Sequence, residues 1–181
     1  MKKIILFAMC ALAIVSIAGC RSSKEKSPIK TYVMPCSEFA NGDGALRVWA
    51  AGTSDNESTA RKKAVAVASA ELAAMLSKTV QATTEDYSSV LSESENVLSK
   101  SFMSDKTKIT VDKSISGATI ICDRWNKDDK GQYTNYIVLE LKGSDYLKTL
   151  YEELDKNSEV SINKELLEKL FLENINKSSE E

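Results

Sequence analysis

Histidine is absent from the 181 residues of this sequence. That absence excludes Ser-His and Cys-His nucleophilic pairs and zinc sites with imidazole ligands, and it removes the commonest general base. A phosphate-binding loop, a Gly-x-Gly-x-x-Gly fingerprint, a Gly-x-Ser-x-Gly elbow and a Cys-x-x-Cys pair are missing as well. We therefore expect no catalytic residues, no metal site and no bound cofactor.

Neither sign of charge is in large excess. Lysine and arginine number 24 and aspartate and glutamate number 26, which gives a net charge of −2. Nucleic-acid binding requires a basic patch or stripe on one face of a protein. A mildly acidic chain does not fit this requirement, so we expect no nucleic-acid partner.

Long apolar runs are confined to the N-terminus. Lys2 and Lys3 precede an apolar stretch that is short for a membrane span and is typical of an export signal. The stretch ends in Ile-Ala-Gly-Cys at residues 17–20, and small residues directly before a cysteine resemble the lipobox of bacterial lipoproteins. No later run is long enough to predict a transmembrane helix.

The lipobox predicts cleavage between Gly19 and Cys20 and acylation of Cys20 by diacylglycerol and a fatty acid such as palmitate. Several acyl chains on one residue suffice for stable membrane anchoring. Two alternatives remain, an uncleaved N-terminal anchor and an ordinary secretory signal. An Asp directly after the lipidated cysteine favours retention in the inner membrane, and this sequence has Arg21 at that position. We therefore expect sorting to the outer membrane, where the domain faces either the periplasm or the cell exterior.

The sequence divides into four regions. Residues 1–19 are the predicted signal peptide, and residues 20–31 are the lipidated cysteine with a flexible tether rich in Ser, Lys and Glu. Residues 32–154 are the predicted α+β domain. Residues 155–181 are a C-terminal amphipathic helix with a polar tail.

Hydrophobic periodicity predicts the elements of that domain. A period of two over residues 46–52 predicts a strand, and Ser54 with Glu57 forms a capping box for a long helix to about residue 80. An irregular helical rhythm continues over 83–103. We expect further strands over 107–115, 118–125 and 133–141, a helix capped by Ser144 that ends near 154, and a last helix over 162–175. The predicted fold is one antiparallel sheet of about four strands with the long helix on one face.

Two cysteines remain after Cys10 leaves with the signal and Cys20 takes lipid. Cys36 and Cys122 form an even pair in an exported protein, where disulfides persist. A bridge between them closes a loop of about 86 residues and is worth on the order of 4 kcal/mol in the chain-entropy model. The alternative is that both are small buried hydrophobic residues.

Seven short motifs, taken in order, resemble the LPP-twenty-like family of small bacterial envelope lipoproteins. The motifs are Arg47-Val48-Trp49-Ala50-Ala51-Gly52, Ala60-Arg61-Lys62-Lys63-Ala64, Ala68-x-x-Glu71-Leu72-Ala73, Gly117-Ala118-Thr119-Ile120, Asp123-Arg124-Trp125, Tyr133 and Ile137-Val138-Leu139-Glu140-Leu141. They span about two thirds of the mature chain. The resemblance implies an envelope lipoprotein with an α+β domain and no established catalytic activity.

Three aromatic residues are candidates for an interaction surface. Trp49, Trp125 and Tyr133 either form an exposed stacking surface for a glycan or a partner protein, or fill the core between sheet and helix. We expect two of the three in the core.

These patterns favour a non-enzymatic, lipid-anchored docking or accessory module of an envelope structure, with the membrane and an envelope protein as partners. One alternative is an exposed structural or antigenic surface lipoprotein without a dedicated partner. A further alternative is a hydrolase of envelope material, which needs two carboxylates such as Asp123 and Glu140 to converge in a cleft.

Overall fold

The computed structural model describes residues 34–39, 43–91, 106–156 and 162–178, which form three strands and four helices. The strands are β1 (Ala45–Ser54), β2 (Thr119–Lys127) and β3 (Tyr133–Lys142). The helices are α1 (Glu57–Val90), α2 (residues 106–116), α3 (Gly143–Leu154) and α4 (Lys164–Lys177). All of these elements belong to one unit, Val33–Glu181, and the predicted α+β class is confirmed.

The strands form an antiparallel sheet in the order β1-β3-β2. All ten residues of β1 pair with β3, from Ala45 opposite Lys142 to Ser54 opposite Tyr133. The hairpin between β2 and β3 is the one predicted from the sequence, and its register shifts between Ile120 and Cys122. Among the described residues β1 and β2 are therefore the two edges of the sheet.

One face of the sheet is covered by α1. Leu46, Val48 and Ala50 of β1 are buried because they alternate toward this helix. The helix presents Ala60, Ala64 and Ala68 at spacings of four, and all three are fully buried. Small side chains at these positions allow α1 to lie close to the strands. This pattern of alanines is core packing, as the sequence predicts.

The C-terminal helix α4 packs into the same core rather than forming a separate appendage. Leu167, Phe171 and Ile175 are buried on its inner face. The ring of Phe171 stacks on Tyr146 of α3 with centroids 4.8 Å apart. At the start of α4, the backbone N–H of Asn163 donates to the Tyr87 hydroxyl of α1 at 2.8 Å. Side chains of α1 and α3 thus fix the position of α4.

The expected strand over 107–115 is wrong, because residues 106–116 are helical. The buried residues Thr110, Val111 and Ser114 recur at helical spacing and form the inner face of α2. The Thr110 hydroxyl donates to the carbonyl oxygen of Lys106 at 2.9 Å, so a residue favoured in strands is satisfied within the helix. The sheet therefore has three strands where about four were expected.

Two helix caps also differ from the prediction. The N-cap of α1 is Asn56, whose side chain accepts a hydrogen bond from the backbone N–H of Thr59 at 3.0 Å, and the expected Ser54 lies two residues earlier. The N-cap of α3 is Lys142, without a side-chain cap, in place of Ser144. In the first case Ser54 is the last residue of β1 and is paired with Tyr133, and Asn56 serves as the cap instead.

Among the helices of the described ranges, none is both long and apolar enough to cross a bilayer.

Candidate functional site

The face of the sheet opposite α1 is crossed by a short segment, residues 34–39, which we call the strap. The Nε1 of Trp49 on β1 donates to the carbonyl oxygen of Pro35 at 2.7 Å. The guanidinium of Arg124 on β2 pairs with Glu38 at 2.6 Å. The strap thereby contacts both edge strands of the sheet.

A disulfide between Cys36 and Cys122 joins the strap to β2. Cys36 is fully buried and Cys122 is 8% exposed, and both pack against Val138 of β3. Phe39 and Trp49 lie at the margin of this small cluster. The two cysteines that the sequence left as either a bridge or two separate core residues therefore form a bridge at the centre of a second, minor core.

The three aromatic residues proposed as an interaction surface do not lie together. Trp49 is half-buried against Tyr136 beneath the strap, with ring centroids 6.1 Å apart. Trp125 is 40% exposed and lies on the face that α1 covers. It pairs with Asn135, which in turn pairs with Gly52, and Gly52 packs against α1. Tyr133 shares that face with Trp125.

Tyr133 is half-buried and interacts with Lys127 across the hairpin. The Lys127 ammonium lies 4.6 Å from the ring centroid and donates to the phenolic oxygen at 3.0 Å. This hydrogen bond raises the pKa of Lys127. Of the three aromatic residues, Trp125 is the most exposed, and Trp49 and Tyr133 are half-buried.

Asp123 and Glu140, the carboxylates of the hydrolase hypothesis, lie on opposite faces of the sheet. Asp123 accepts from the Nε of Arg61 at 3.0 Å and from the Asn135 side chain at 2.6 Å on the α1 side. Glu140 accepts from the Nε of Arg47 at 2.7 Å on the other side. Because the sheet separates them, these two groups do not converge on one substrate.

An open cleft of about 730 Å³ lies where the ends of β1 and β3 meet α4. Its polar lining consists of Asp43, Arg47, Glu140, Lys142, Ser144 and Asn176. Asp43 is a lining carboxylate that the sequence analysis did not single out, and it lies in the turn at residues 43–44 directly before β1. The Arg47–Glu140 ion pair occupies the sheet side of the cleft, so opposite charges there already neutralise each other.

A second charged cluster joins α2 to α3. Glu153, which is 8% exposed, accepts hydrogen bonds from Lys113 and from Lys156, the latter at 2.8 Å. These bonds lower the pKa of Glu153 to about 2. A carboxylate held ionised in this way is not a general acid near neutral pH, and its two lysine partners tie α2 to the end of α3.

The described ranges contain no group of three or more Cys, Asp or Glu side chains placed to hold a metal ion. Gly19 and Cys20, the predicted cleavage and lipidation residues, lie outside the described residues. No family model matches this chain, and neither a curated protein nor a solved structure is detectably similar to it.

Proposed function

We propose that this protein is a lipid-anchored, non-enzymatic lipoprotein of the bacterial envelope that docks onto another envelope component. The observation that carries the proposal is the sequence of residues 1–20, in which a basic start and an apolar run end in Ile-Ala-Gly-Cys. The proposed anchor is the acylated Cys20, at the outer membrane.

The Cys36–Cys122 bridge supports export. Disulfides persist in oxidising compartments and are rare in the cytosol. The bridge closes 86 residues and therefore ties together a large part of the domain. A chain that uses such a bridge for stability fits a location beyond the cytoplasmic membrane.

The exposed half of β2 supports a docking role. Residues 123–127 are all exposed and include Trp125, a residue type enriched at protein interfaces. The separated carboxylates Asp123 and Glu140 give no support to the hydrolase alternative. The proposed activity is therefore recognition, and the resemblance to the LPP-twenty-like lipoproteins agrees with it.

Lipidation is tested by labelling growing cells with radioactive palmitate and comparing wild type with Cys20→Ala. We expect the label and removal of residues 1–19 in wild type, and neither the label nor the cleavage in the variant. Cys10→Ala is the matched control, since it removes a cysteine from the same signal peptide and leaves the lipobox intact. Label on Cys20→Ala, or none on wild type, contradicts the proposal.

Docking is tested by mild crosslinking in intact cells followed by purification of the lipidated protein. One partner in constant ratio, reduced in Cys20→Ala, supports an anchored docking module. Absence of any partner, together with removal of the domain by external protease, supports the surface-coat alternative instead.

A further inference from the structure

The outward edge of β2 carries five consecutive exposed residues, Asp123 to Lys127. On its inner edge the strand is paired with β3, and within the described ranges no strand lies on the outer edge. The other edge strand, β1, differs because Thr53 is its one exposed residue. An open strand edge is a template for pairing with another strand. The exposed half of β2 is therefore the part of the sheet most accessible to a second chain.

We propose that two copies of this protein associate through this edge, as antiparallel β2–β2 pairs centred on Trp125. Residues that oppose each other in an antiparallel pair point to the same face of the sheet. A twofold axis perpendicular to the sheet therefore places one residue of β2 opposite its own copy. The choice of that central residue fixes every other contact.

Centring on Trp125 gives contacts of matching chemistry along the exposed half-strand. Trp125 opposes Trp125 of the second copy, and Asp123 opposes Lys127 in both directions. Arg124 opposes the neutral Asn126. Cross-strand aromatic pairs and opposite-charge pairs both stabilise a sheet, so the sequence of this edge is complementary to itself.

Other centres are less favourable. Centring on Asp123, Arg124 or Lys127 opposes two like charges at the axis, which is destabilising. Centring on Asn126 leaves an overlap of three residues before the strand ends at Lys127. The pairing centred on Trp125 is the one that combines opposite charges with use of the whole exposed half-strand.

The charges of this edge do not prevent the pairing. Asp123 already accepts from Arg61 and Asn135, but a carboxylate has about four acceptor positions. Lys127 already donates to Tyr133, but an ammonium has three N–H donors, so both groups retain capacity for the contact with the second copy. The short overlap predicts a small interface and hence a weak dimer. Anchoring in one membrane would raise its effective concentration, although the pairing itself does not require the lipid.

Site-specific crosslinking in the full-length chain tests the register. In Trp125→Cys the two new cysteines have Cα atoms about 5 Å apart, which is within disulfide range. In Asn126→Cys the equivalent atoms lie about 8 Å apart, because each is displaced along its strand. Lys130→Cys places an exposed cysteine in the turn and serves as the control for random collision.

We expect a reducible dimer band after mild oxidation of Trp125→Cys that is several times stronger than that of Asn126→Cys, Lys130→Cys or wild type. A band in Asn126→Cys with none in Trp125→Cys overturns the register. Equal bands in all variants, or none in a chain whose native disulfide is intact, overturn the proposal. Crosslinking of Trp125→Cys to a different protein instead assigns this edge to the docking partner of the proposed function, and it overturns the self-association while leaving that function standing.

A charge test keeps the tryptophan unchanged. Lys127→Glu places an acidic side chain opposite Asp123 of the other copy on both sides of the axis. We therefore expect about tenfold weaker dimerisation, corresponding to about 1.4 kcal/mol. Lys130→Glu makes the same change in charge outside the paired segment and should leave the dissociation constant unchanged. Sedimentation equilibrium of the detergent-solubilised protein measures both, and equal effects of the two variants contradict the proposed contacts.

Discussion

Gly52 of β1 lies directly against Ala60 of α1. A Cβ atom built on Gly52 would lie 2.2 Å from the carbonyl oxygen of Ala60 and 2.5 Å from the backbone nitrogen of Ala64. Both contacts are to backbone, which cannot rotate away as a side chain does. The separation of the long helix from the sheet is therefore set at this glycine.

Gly52→Ala is expected to force α1 away from β1 and to lower the free energy of unfolding by about 3 kcal/mol, the upper part of the range for overpacked cores. Gly117→Ala is the matched control, because the nearest atom to its added Cβ is Ser114 O at 3.5 Å, an ordinary contact. Urea denaturation followed by circular dichroism measures both. Equal stability of Gly52→Ala and wild type would show that the helix can shift without loss.

Removal of the disulfide is expected to destabilise the domain strongly. In the double variant Cys36→Ser/Cys122→Ser the unfolded chain regains the freedom of an 86-residue loop, and we expect a loss on the order of 4 kcal/mol. Denaturation of wild type in the presence of a reductant should match that of the variant. A much larger loss in the variant than in reduced wild type would assign the difference to the buried serines.

Glu153 predicts a specific loss of stability in acid. The hydrogen bonds from Lys113 and Lys156 lower its pKa from 4.5 to about 2, so its contribution is fully present above pH 4.5 and is lost as the pH falls toward 2. Glu153→Gln should therefore be less stable than wild type at pH 7, and the difference should shrink between pH 4.5 and 2. Denaturation midpoints measured across this range give the comparison.

The exposed neighbour provides the control for that experiment. Glu152→Gln makes the same change one residue away on α3, at a position that is exposed. Its difference from wild type should be smaller at pH 7. A constant difference between Glu153→Gln and wild type from pH 7 to 2 would contradict the role assigned to the two lysines.

Two buried tyrosines should respond oppositely to loss of their hydroxyl groups. Tyr87→Phe removes the acceptor for the backbone N–H of Asn163 and should lower stability by about 1 kcal/mol. Tyr146→Phe should be neutral or stabilising, since its buried hydroxyl has no hydrogen-bond partner in the described part of the chain. Thermal unfolding of both variants checks the contrast, and equal losses would refute it.

The elements that sequence reasoning located correctly have one strong local signal each. Buried residues alternate along β1 and recur at alanines spaced four residues apart along α1, because each element packs one side against the other. Such a pattern is visible in the sequence as a period of two or of about 3.6 residues. The hairpin of β2 and β3 was likewise predicted from two extended runs and a polar turn. Such signals depend on residues that are close in sequence.

The elements that it missed depend on distant contacts. Helix α2 contains the β-branched residues Thr107, Ile109 and Val111, whose local preference for strands is outweighed by burial of its inner face. Arg47 and Glu140 meet because the register of β1 and β3 places them opposite each other. Asp43 lines the cleft because the chain before β1 lies beside residues of β3 and α4 that are distant in sequence. The separation of Trp49 from Trp125 also required the register, since alternation alone does not say which face of each strand meets the helix.

The bond between the strap and β2 also determines how a pulling force would travel through the molecule. Tension applied to the chain before Cys36 and resisted at the C-terminus passes through the disulfide into Cys122. Residues 37–121, which include β1 and α1, lie in a closed covalent loop outside that path. A stretched molecule would therefore lose α3 and α4 and peel β3 from its neighbours, while the interior of the loop is spared direct tension.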